Sequence, residues 1–471
     1  MCGVVGIFGH VDLRQIQLPL QLLTHRGQDA TGIAWLSNDG IKVQKCTGSI
    51  GNMQIENQYT DVCIGSTRYP TSGSADDDME KVSQPFVAQS RYGQICLTHN
   101  GNITNVYKIT DMVNKKDFVT DTEFITYLIA RMLDDNNGDI QSTIRQFMNT
   151  VDGSYSITCI LNDKLLVFRD PNGLRPLFLG GSQSHFMASS EPISMHLPDM
   201  EFVREVEPGE LVIISKDGVE ADILVEKKHA HCMFEFVYFA HPSSTFAGKN
   251  VYEARMKLGG NLAKEIIKKG IVPDFVAAVP ETSRPAAIKM AEVLGVPYIE
   301  ALIRNRYADS RTFIMKDQKT RHTYTYIKYT ANEHMIKGKS VLIVDDSIVR
   351  GITAQRIVDI LRKHGAKEVH FASTCPPLIS PCYYGIDFAT RGELIANEKT
   401  IDDIRKSINA DSLTYQTMEG LRDALQLKGL CTACLTGEYP TPFGQELVKL
   451  AESNIVSDDA RHYQQIVNRH K

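Results

Sequence analysis

The chain predicts two folded units in tandem, an α+β unit built on antiparallel sheet over residues 1–225 and an α/β unit with a parallel sheet over residues 226–471. Three observations predict this. Short β-rich runs separated by turn signals fill the first part. Strand and helix alternate in the second, the pattern of a parallel sheet with helices on its faces. The 471 residues exceed what one core usually organises, at about 100–200 residues per domain. Hydrophobic residues at 42% and charged residues at 23% are ordinary globular usage, which excludes a disordered or fibrous chain. A net charge of −5 and a pI near 6.3 give no basic footprint, so nucleic acid is not expected as the main partner. No apolar run reaches about 18 residues, and MCGVVGIFGH has neither a basic leader nor a signal-type core. No membrane association is expected, and the chain reads as cytoplasmic.

In the first unit the runs VVGIFG, TGIAWLS, DVCIGSTRY, QICLTHNG, SYSITCILNDKLLVFRD and GELVIIS read as strands. Helical periodicity appears around Thr122–Leu133 and Ile140–Thr150. After VEKKHAHCMFEF the texture changes. DFVAAVP leads into helical SRPAAIKMAEVLG, SVLIVDD into TAQRIVDILRKHG, and VHFAST follows. The division falls near residue 225. No internal repeat is present, and Asp76–Asp77–Asp78 with Glu80 reads as a solvated loop.

Met1 followed by the small residue Cys2 favours methionine removal, which leaves a thiol and a free α-amine on one residue. An N-terminal amine titrates near 7.7–8.0, so it can take the thiol proton and return it to a leaving group. HRGQDATG (His25–Gly32), STRYPTSG (Ser66–Gly73), THNGNI (Thr98–Ile103) and TDTEF (Thr120–Phe124) each combine turn glycines with polar side chains able to hold a zwitterion. Taken alone, Arg68 would be a surface arginine and Asp121 a helix N-cap. In that order behind Met-Cys-Gly, however, the blocks resemble the N-terminal-nucleophile glutaminase domain of class II glutamine amidotransferases over roughly residues 1–220. The resemblance implies that Cys2 attacks the glutamine amide while Asn100 and the Gly101 N–H form the oxyanion hole. It also implies glutamine binding by Arg68 at the α-carboxylate, Asp121 at the α-ammonium, and Thr71.

SVLIVDDSIVRGIT (Ser340–Thr353) is a hydrophobic strand, two carboxylates, a polar loop and a helix start. Such a loop suits a phosphosugar: N–H groups at a helix start hold phosphate, and carboxylates accept from vicinal hydroxyls. It is neither a Walker loop nor a Rossmann fingerprint. The run resembles the PRPP-binding motif of type I phosphoribosyltransferases. That resemblance assigns the ribose to Asp345 and Asp346 and the 5-phosphate to Ser347, Ile348, Val349, Arg350, Gly351 and Thr353. AVPETSRPAA then supplies the pyrophosphate loop, Glu281, Thr282 and Ser283, and Mg²⁺ is expected with PRPP at Asp345, Asp346 and Ser283. The two units in this order resemble the glutamine phosphoribosylpyrophosphate amidotransferases. The resemblance implies glutamine and PRPP as substrates, 5-phosphoribosylamine as product in the first step of purine synthesis, and nucleotide feedback inhibitors. It further implies a homo-oligomer, dimer or tetramer. RNRY (Arg304–Tyr307) and RTFIM (Arg311–Met315) look like the family's linking segment.

Three departures stand against the family pattern. Between Met315 and Lys339 the chain keeps Arg321 and Lys328 but reads HTYTYI where basic residues are usual; RYADSRTF is one residue longer; and Ile352 replaces a hydroxyl-bearing residue. These keep two alternatives open, a PRPP- or nucleotide-binding regulator with a degenerate transferase site, and an amidotransferase for another phosphosugar.

Of ten cysteines, Cys46, Cys63, Cys96, Cys159 and Cys375 lie in apolar runs and read as buried thiols. Cys431 and Cys434 form a CxxC that suits zinc, a redox pair or an iron–sulfur cluster. With Cys232 and Cys382 they resemble the ligand set of the family's [4Fe–4S] form, where the cluster is structural; zinc in the same four-cysteine set is the second reading.

Overall fold

The computed structural model describes residues 2–69, 79–115, 117–197, 199–305, 329–387 and 390–452. Thr71, Asp76–Asp78 and the altered segment up to Lys328 lie outside the described residues.

The first unit is two antiparallel sheets packed face to face. Among the described residues one sheet has seven strands, in the spatial order Glu201–Glu205, Phe178–Gly181, Phe186–Ser189, Gly3–Asp12, Tyr59–Arg68, Ala30–Ser37 and Gly40–Thr47. The other has six, in the order Gly218–Ile223, Glu210–Ser215, Lys164–Arg169, Gly153–Leu161, Gly93–Ile103 and Phe86–Ser90. Val4, Val62 and Ile64 meet Cys96, Ile160, Val167 and Val212 between the sheets. The β-rich runs read from sequence become these strands, and Gly153–Leu161 is buried on both faces because helices cover the side turned away from the partner sheet. Helices Asp121–Asp135 and Ile140–Thr150 cover the outer face of the six-stranded sheet through Phe124, Leu128, Ile144 and Phe147. Thr120, rather than Asp121, caps the first of these helices, accepting from the Glu123 N–H at 3.1 Å. Cys63, Cys96, Cys159 and Cys375 are buried as expected, but Cys46 is only half-buried, because its strand forms the sheet edge.

Among the described residues the second unit carries a parallel sheet of four strands, ordered Phe275–Ala278, Ser340–Asp345, Glu368–Ser373 and Ser412–Tyr415. Helices Val251–Lys268 and Arg284–Leu294 cover one face through Leu262, Ile266, Ala287 and Met290. Ile357, Leu361 and Ile404, from helices Ile352–Lys363 and Ile401–Ser407, cover the other. The 18-residue helix Val251–Lys268 went unread in the sequence because two internal glycines interrupt its pattern. One continuous core joins the units. Val5, Ile7, Leu20 and Ile33 of the first pack with Met233, Phe234, Phe236, Val237 and Leu258 of the second. No helix among the described residues is long and apolar enough to cross a membrane.

Candidate functional site

Pairing of Gly3 with Thr67 sets Cys2 beside the end of the strand that carries Arg68. Cys2 is buried, and its N–H donates to Asn100 Oδ1 at 3.3 Å. That contact orients the Asn100 amide. Its Nδ2 is buried and has no hydrogen-bond partner among the described residues. A buried amide donor left open costs about 1–3 kcal/mol, and one beside a thiol is placed to receive a developing oxyanion. Gly101 follows with φ +152°, and a Cβ there would lie 2.0 Å from Ser154 O, so only glycine fits.

The residues behind this turn are polar and buried. His99 Nε2 faces Ser154 O at 3.1 Å, so that nitrogen carries the proton, and Nδ1 lies 3.3 Å from Thr122 Oγ1. Burial pulls the His99 pKa below its usual value, which keeps the ring neutral at pH 7. Asp121 accepts from the Ile103 N–H at 3.2 Å and the Thr122 N–H at 2.8 Å, which ties the start of its helix to the oxyanion strand. Arg68 is buried and donates to Val82 O. The structure thus sets Cys2 directly against Asn100, puts Arg68 one residue beyond the partner of Gly3, and ties Asp121 to Ile103 on the strand of Asn100 and Gly101.

Sequence reasoning missed two supports. The Gln84 amide donates to His99 O at 2.8 Å, accepts from the His99 N–H, and lies 3.9 Å from Cys2 Sγ. The only local signal was its place before Pro85. Arg26 was inside a quoted block but carried no assigned role. Its guanidinium is fully buried and pairs with Glu191 and, at 2.8 Å, with Glu235, while Nε reaches Cys2 O at 3.5 Å. Glu191 also meets His25 Nε2 at 2.7 Å, the His241 N–H at 2.9 Å and Ser244 Oγ at 2.8 Å. The network fixes the Cys2 backbone from both units, because Glu235 and His241 belong to the second.

Asp345 ends the second strand of the parallel sheet, and Asp346 begins the loop Asp346–Gly351. The Asp346 N–H donates to Asp345 Oδ1 at 2.9 Å, and Ser347 Oγ donates to Asp346 Oδ1 at 2.7 Å. Asp345 and Asp346 both act to push up the Tyr238 and Tyr329 phenols, so the two rings border the acidic pair, Tyr329 buried and Tyr238 nearly half exposed. The Ile348 side chain is in the core, Val349 O accepts from the Ile395 N–H at 2.9 Å, and Arg350 pairs with Glu393 at 3.0 Å. Only the backbone of Ile348 and Val349 is therefore open to a ligand role. Gly351 has φ +77°, Ile352 opens the helix half exposed, and Thr353 is exposed in its first turn. In the other loop Ser283 Oγ donates to Val279 O at 2.6 Å, and Glu281 pairs with Arg284 at 2.6 Å; Thr282 stands between them, half-buried. The two sites are joined by aromatic contacts. Tyr69, whose carbonyl lies 4.0 Å from Cys2 Sγ, meets the Phe239 ring edge-on at 6.1 Å, and its phenol senses Asp387, Tyr238 and Arg350.

The four cysteines are drawn together by backbone pairing. Cys232 sits in register with Cys431 in a short parallel ladder, and Cys434 O accepts from Ile379 and Ser380, two residues before Cys382. Burial pushes the Cys232 thiol up, while Arg175 pulls it down. Arg175 is fully buried, and its Nη1 has no hydrogen-bond partner among the described residues, the nearest acid being Glu235 at 3.7 Å. Among the described residues no three His, Cys, Asp or Glu side chains converge as a site for a single ion.

Comparison with known proteins agrees with both units. A glutamine amidotransferase domain model matches residues 72–196 and a phosphoribosyl transferase domain model residues 248–382. The amidophosphoribosyltransferase of Methanocaldococcus jannaschii is 39% identical over 95% of this chain and 99% of its own length. That of Bacillus subtilis is 36% identical over 95% of each. The solved glutamine phosphoribosylpyrophosphate amidotransferase from B. subtilis, complexed with ADP and GMP, superposes with a TM-score of 0.84 at 35% identity, covering 94% of this chain and 98% of that one. Both units, in this order and over nearly the whole length, are shared with these relatives, and the chain belongs to the amidophosphoribosyltransferase family.

Proposed function

We propose that this chain performs the reaction of its family with the residues gathered above, converting PRPP, glutamine and water to 5-phosphoribosylamine, glutamate and pyrophosphate in purine synthesis. The observation that carries the reading is the open, buried Nδ2 of Asn100 beside Cys2. Cys2 Sγ attacks the glutamine amide carbon, and a C–S bond forms. Asn100 Nδ2 and the Gly101 N–H stabilise the oxyanion, and such donors contribute about 100- to 1000-fold in rate. The Cys2 α-amine relays the thiol proton to the departing ammonia, and water then releases glutamate from the thioester. Arg68, Asp121 and Thr71 hold the glutamine zwitterion. Ammonia passes along the Tyr69–Phe239 contact and displaces pyrophosphate from C1 of PRPP.

In that second step Asp345 and Asp346 take the ribose hydroxyls, the Ser347–Thr353 loop the 5-phosphate, and Glu281, Thr282 and Ser283 the pyrophosphate. Mg²⁺ would be held with PRPP by Asp345, Asp346 and Ser283, where it neutralises leaving-group charge. The adjacent carboxylates fit a hard cation, and Ser283 keeps lone pairs because its hydroxyl donates to Val279. Wild-type protein should release glutamate and pyrophosphate one for one. The Asp345→Ala/Asp346→Ala protein should release no pyrophosphate and bind PRPP at least tenfold more weakly by calorimetry; unchanged affinity would remove the assignment.

We assign Cys232, Cys382, Cys431 and Cys434 to a structural [4Fe–4S] cluster. Four cysteine thiolates would hold such a cluster, which would tie these segments together without taking part in either half-reaction. The Cys431 and Cys434 thiols each sense Cys232 and Cys382, which supports a shared four-cysteine set. Buried Arg175 beside Cys232 and Cys382 supplies charge compensation for thiolates. Anaerobically prepared protein should be brown and contain about four irons and four labile sulfides per chain, whereas one zinc and no sulfide would replace the assignment. The division near residue 225, just after the strand Gly218–Ile223, a cytoplasmic location and a homo-oligomer belong to the same reading. The nucleotides bound to the B. subtilis relative support nucleotide feedback inhibition.

A further inference from the structure

We propose that Gly385, in the transferase unit, is a positioning residue for glutamine hydrolysis, part of a segment that fixes the oxyanion turn of the other unit. This rests on the assignment of Asn100 and Gly101 to the oxyanion hole. Gly385 has φ +96°, and a Cβ there would meet Gly101 O at 2.9 Å and Gly101 C at 3.1 Å. Gly101 is thus confined on two sides, since its own Cβ position is closed by Ser154 O.

The segment is held from both units. Asn102 Nδ2 donates to Tyr383 O at 2.9 Å. Tyr384 O accepts from Ser154 Oγ at 2.9 Å, from Arg175 Nε at 2.9 Å, and from Arg175 Nη2. Ser154 Oγ also accepts from the Asn102 N–H at 3.2 Å, so one hydroxyl binds the oxyanion strand and the incoming segment together. On the far side the Tyr384 hydroxyl meets Thr441 Oγ1 at 2.9 Å, and the Tyr439 hydroxyl donates to Pro381 O. Three donors on one carbonyl, at an interface buried on both sides, give the segment that carries Gly385 a defined position. An oxyanion donor needs that definition, because a displacement near 1 Å costs about 100-fold in rate.

The test uses full-length Gly385→Ala and Asn102→Ala proteins, the second because it removes one clamp without adding a clash. With saturating PRPP, Gly385→Ala should lower kcat for glutamine at least tenfold and Asn102→Ala at least threefold. KM for glutamine should stay within twofold, since Arg68 and Asp121 are untouched. Synthesis from external ammonium and alkylation of Cys2 by iodoacetamide should match wild type. Asn100→Ala, measured alongside, tests the oxyanion assignment itself: full glutaminase activity in that protein overturns the assignment and this proposal with it. Loss in Asn100→Ala combined with wild-type kcat in Asn102→Ala, or in folded Gly385→Ala, overturns the present proposal alone. A fall in ammonium-dependent synthesis equal to the fall in glutamine kcat also overturns it, as it would show general damage.

Discussion

A Cys2→Ala protein is expected to lose glutamine-dependent synthesis completely while making product from external ammonium at the wild-type rate. The glutamine half-reaction needs a C–S bond, and a methyl group cannot form one. Asn100 and Gly101 would still bind a carbonyl oxygen, but they stabilise charge that only nucleophilic attack creates. The change removes a sulfur from a buried position whose backbone is held by Asn100 and Arg26, so the surrounding structure should persist. Asp345, Asp346 and the Ser347–Thr353 loop, to which PRPP is assigned above, lie in the other unit and make no use of the thiol. Paired assays with glutamine and with ammonium, product being followed as pyrophosphate, provide the check. Loss of both activities in a folded protein would show that the two sites are not separable in this way.

The largest stability effect is expected at Arg26. Replacing it with methionine fills similar volume but leaves Glu191 and Glu235 without their shared cation in a dry site. Breaking a buried pair from one side costs about 3–5 kcal/mol. Burial pushes the Glu191 carboxyl up, but Arg26 and His25 outweigh it and hold the group far below the ordinary carboxylate range. A carboxyl depressed by folding contributes stability that is complete above its unfolded pKa of about 4.3 and drains away as pH falls toward the folded value. Without Arg26 only His25 and the His241 and Ser244 donors still offset burial, so the folded pKa should rise, and the sign reverses once it passes the unfolded value. The deficit of the Arg26→Met protein should then be greatest near neutrality and shrink in mild acid. Urea midpoints of the two proteins between about pH 7 and pH 4 should converge; parallel profiles would show that Glu191 is not the group responsible.

Much of this architecture was legible in short windows of sequence. A strand buried on both faces must run hydrophobic; VVGIFG and SVLIVDD satisfy this requirement within six or seven residues. The acidic pair and the phosphate loop are contiguous for the same reason, since a loop that cradles one ligand is made by one turn of chain. Gln84, Arg26 and Gly385 were not legible. Each acts on a partner far away in sequence: Gln84 on Cys2, 82 residues back; Arg26 on Glu235, 209 residues ahead. Nothing beside Arg26 distinguishes a buried arginine from a surface one. Its partners are supplied by folding, and a single sequence does not display them. Cys46 was misread for a different reason. Its strand, GIKVQKCT, carries Lys42, Gln44 and Lys45, so the exposed edge was in fact marked in its composition.

The hydrogen bond from Asn102 to Tyr383 spans 281 positions of chain. Synthesis at about 5–20 residues per second puts roughly 15–55 s between the emergence of the two ends, long enough for a sheet sandwich to fold first. During that interval a nascent chain already carries Cys2, Asn100 and Gly101, yet the segment on which Gly101 rests has not been made. On the proposed role of Gly385, such a chain is a poor glutaminase until the transferase strands are also in place. The order in which the ribosome delivers the two halves then works as a safeguard: glutamine is not spent on ammonia before its acceptor site exists.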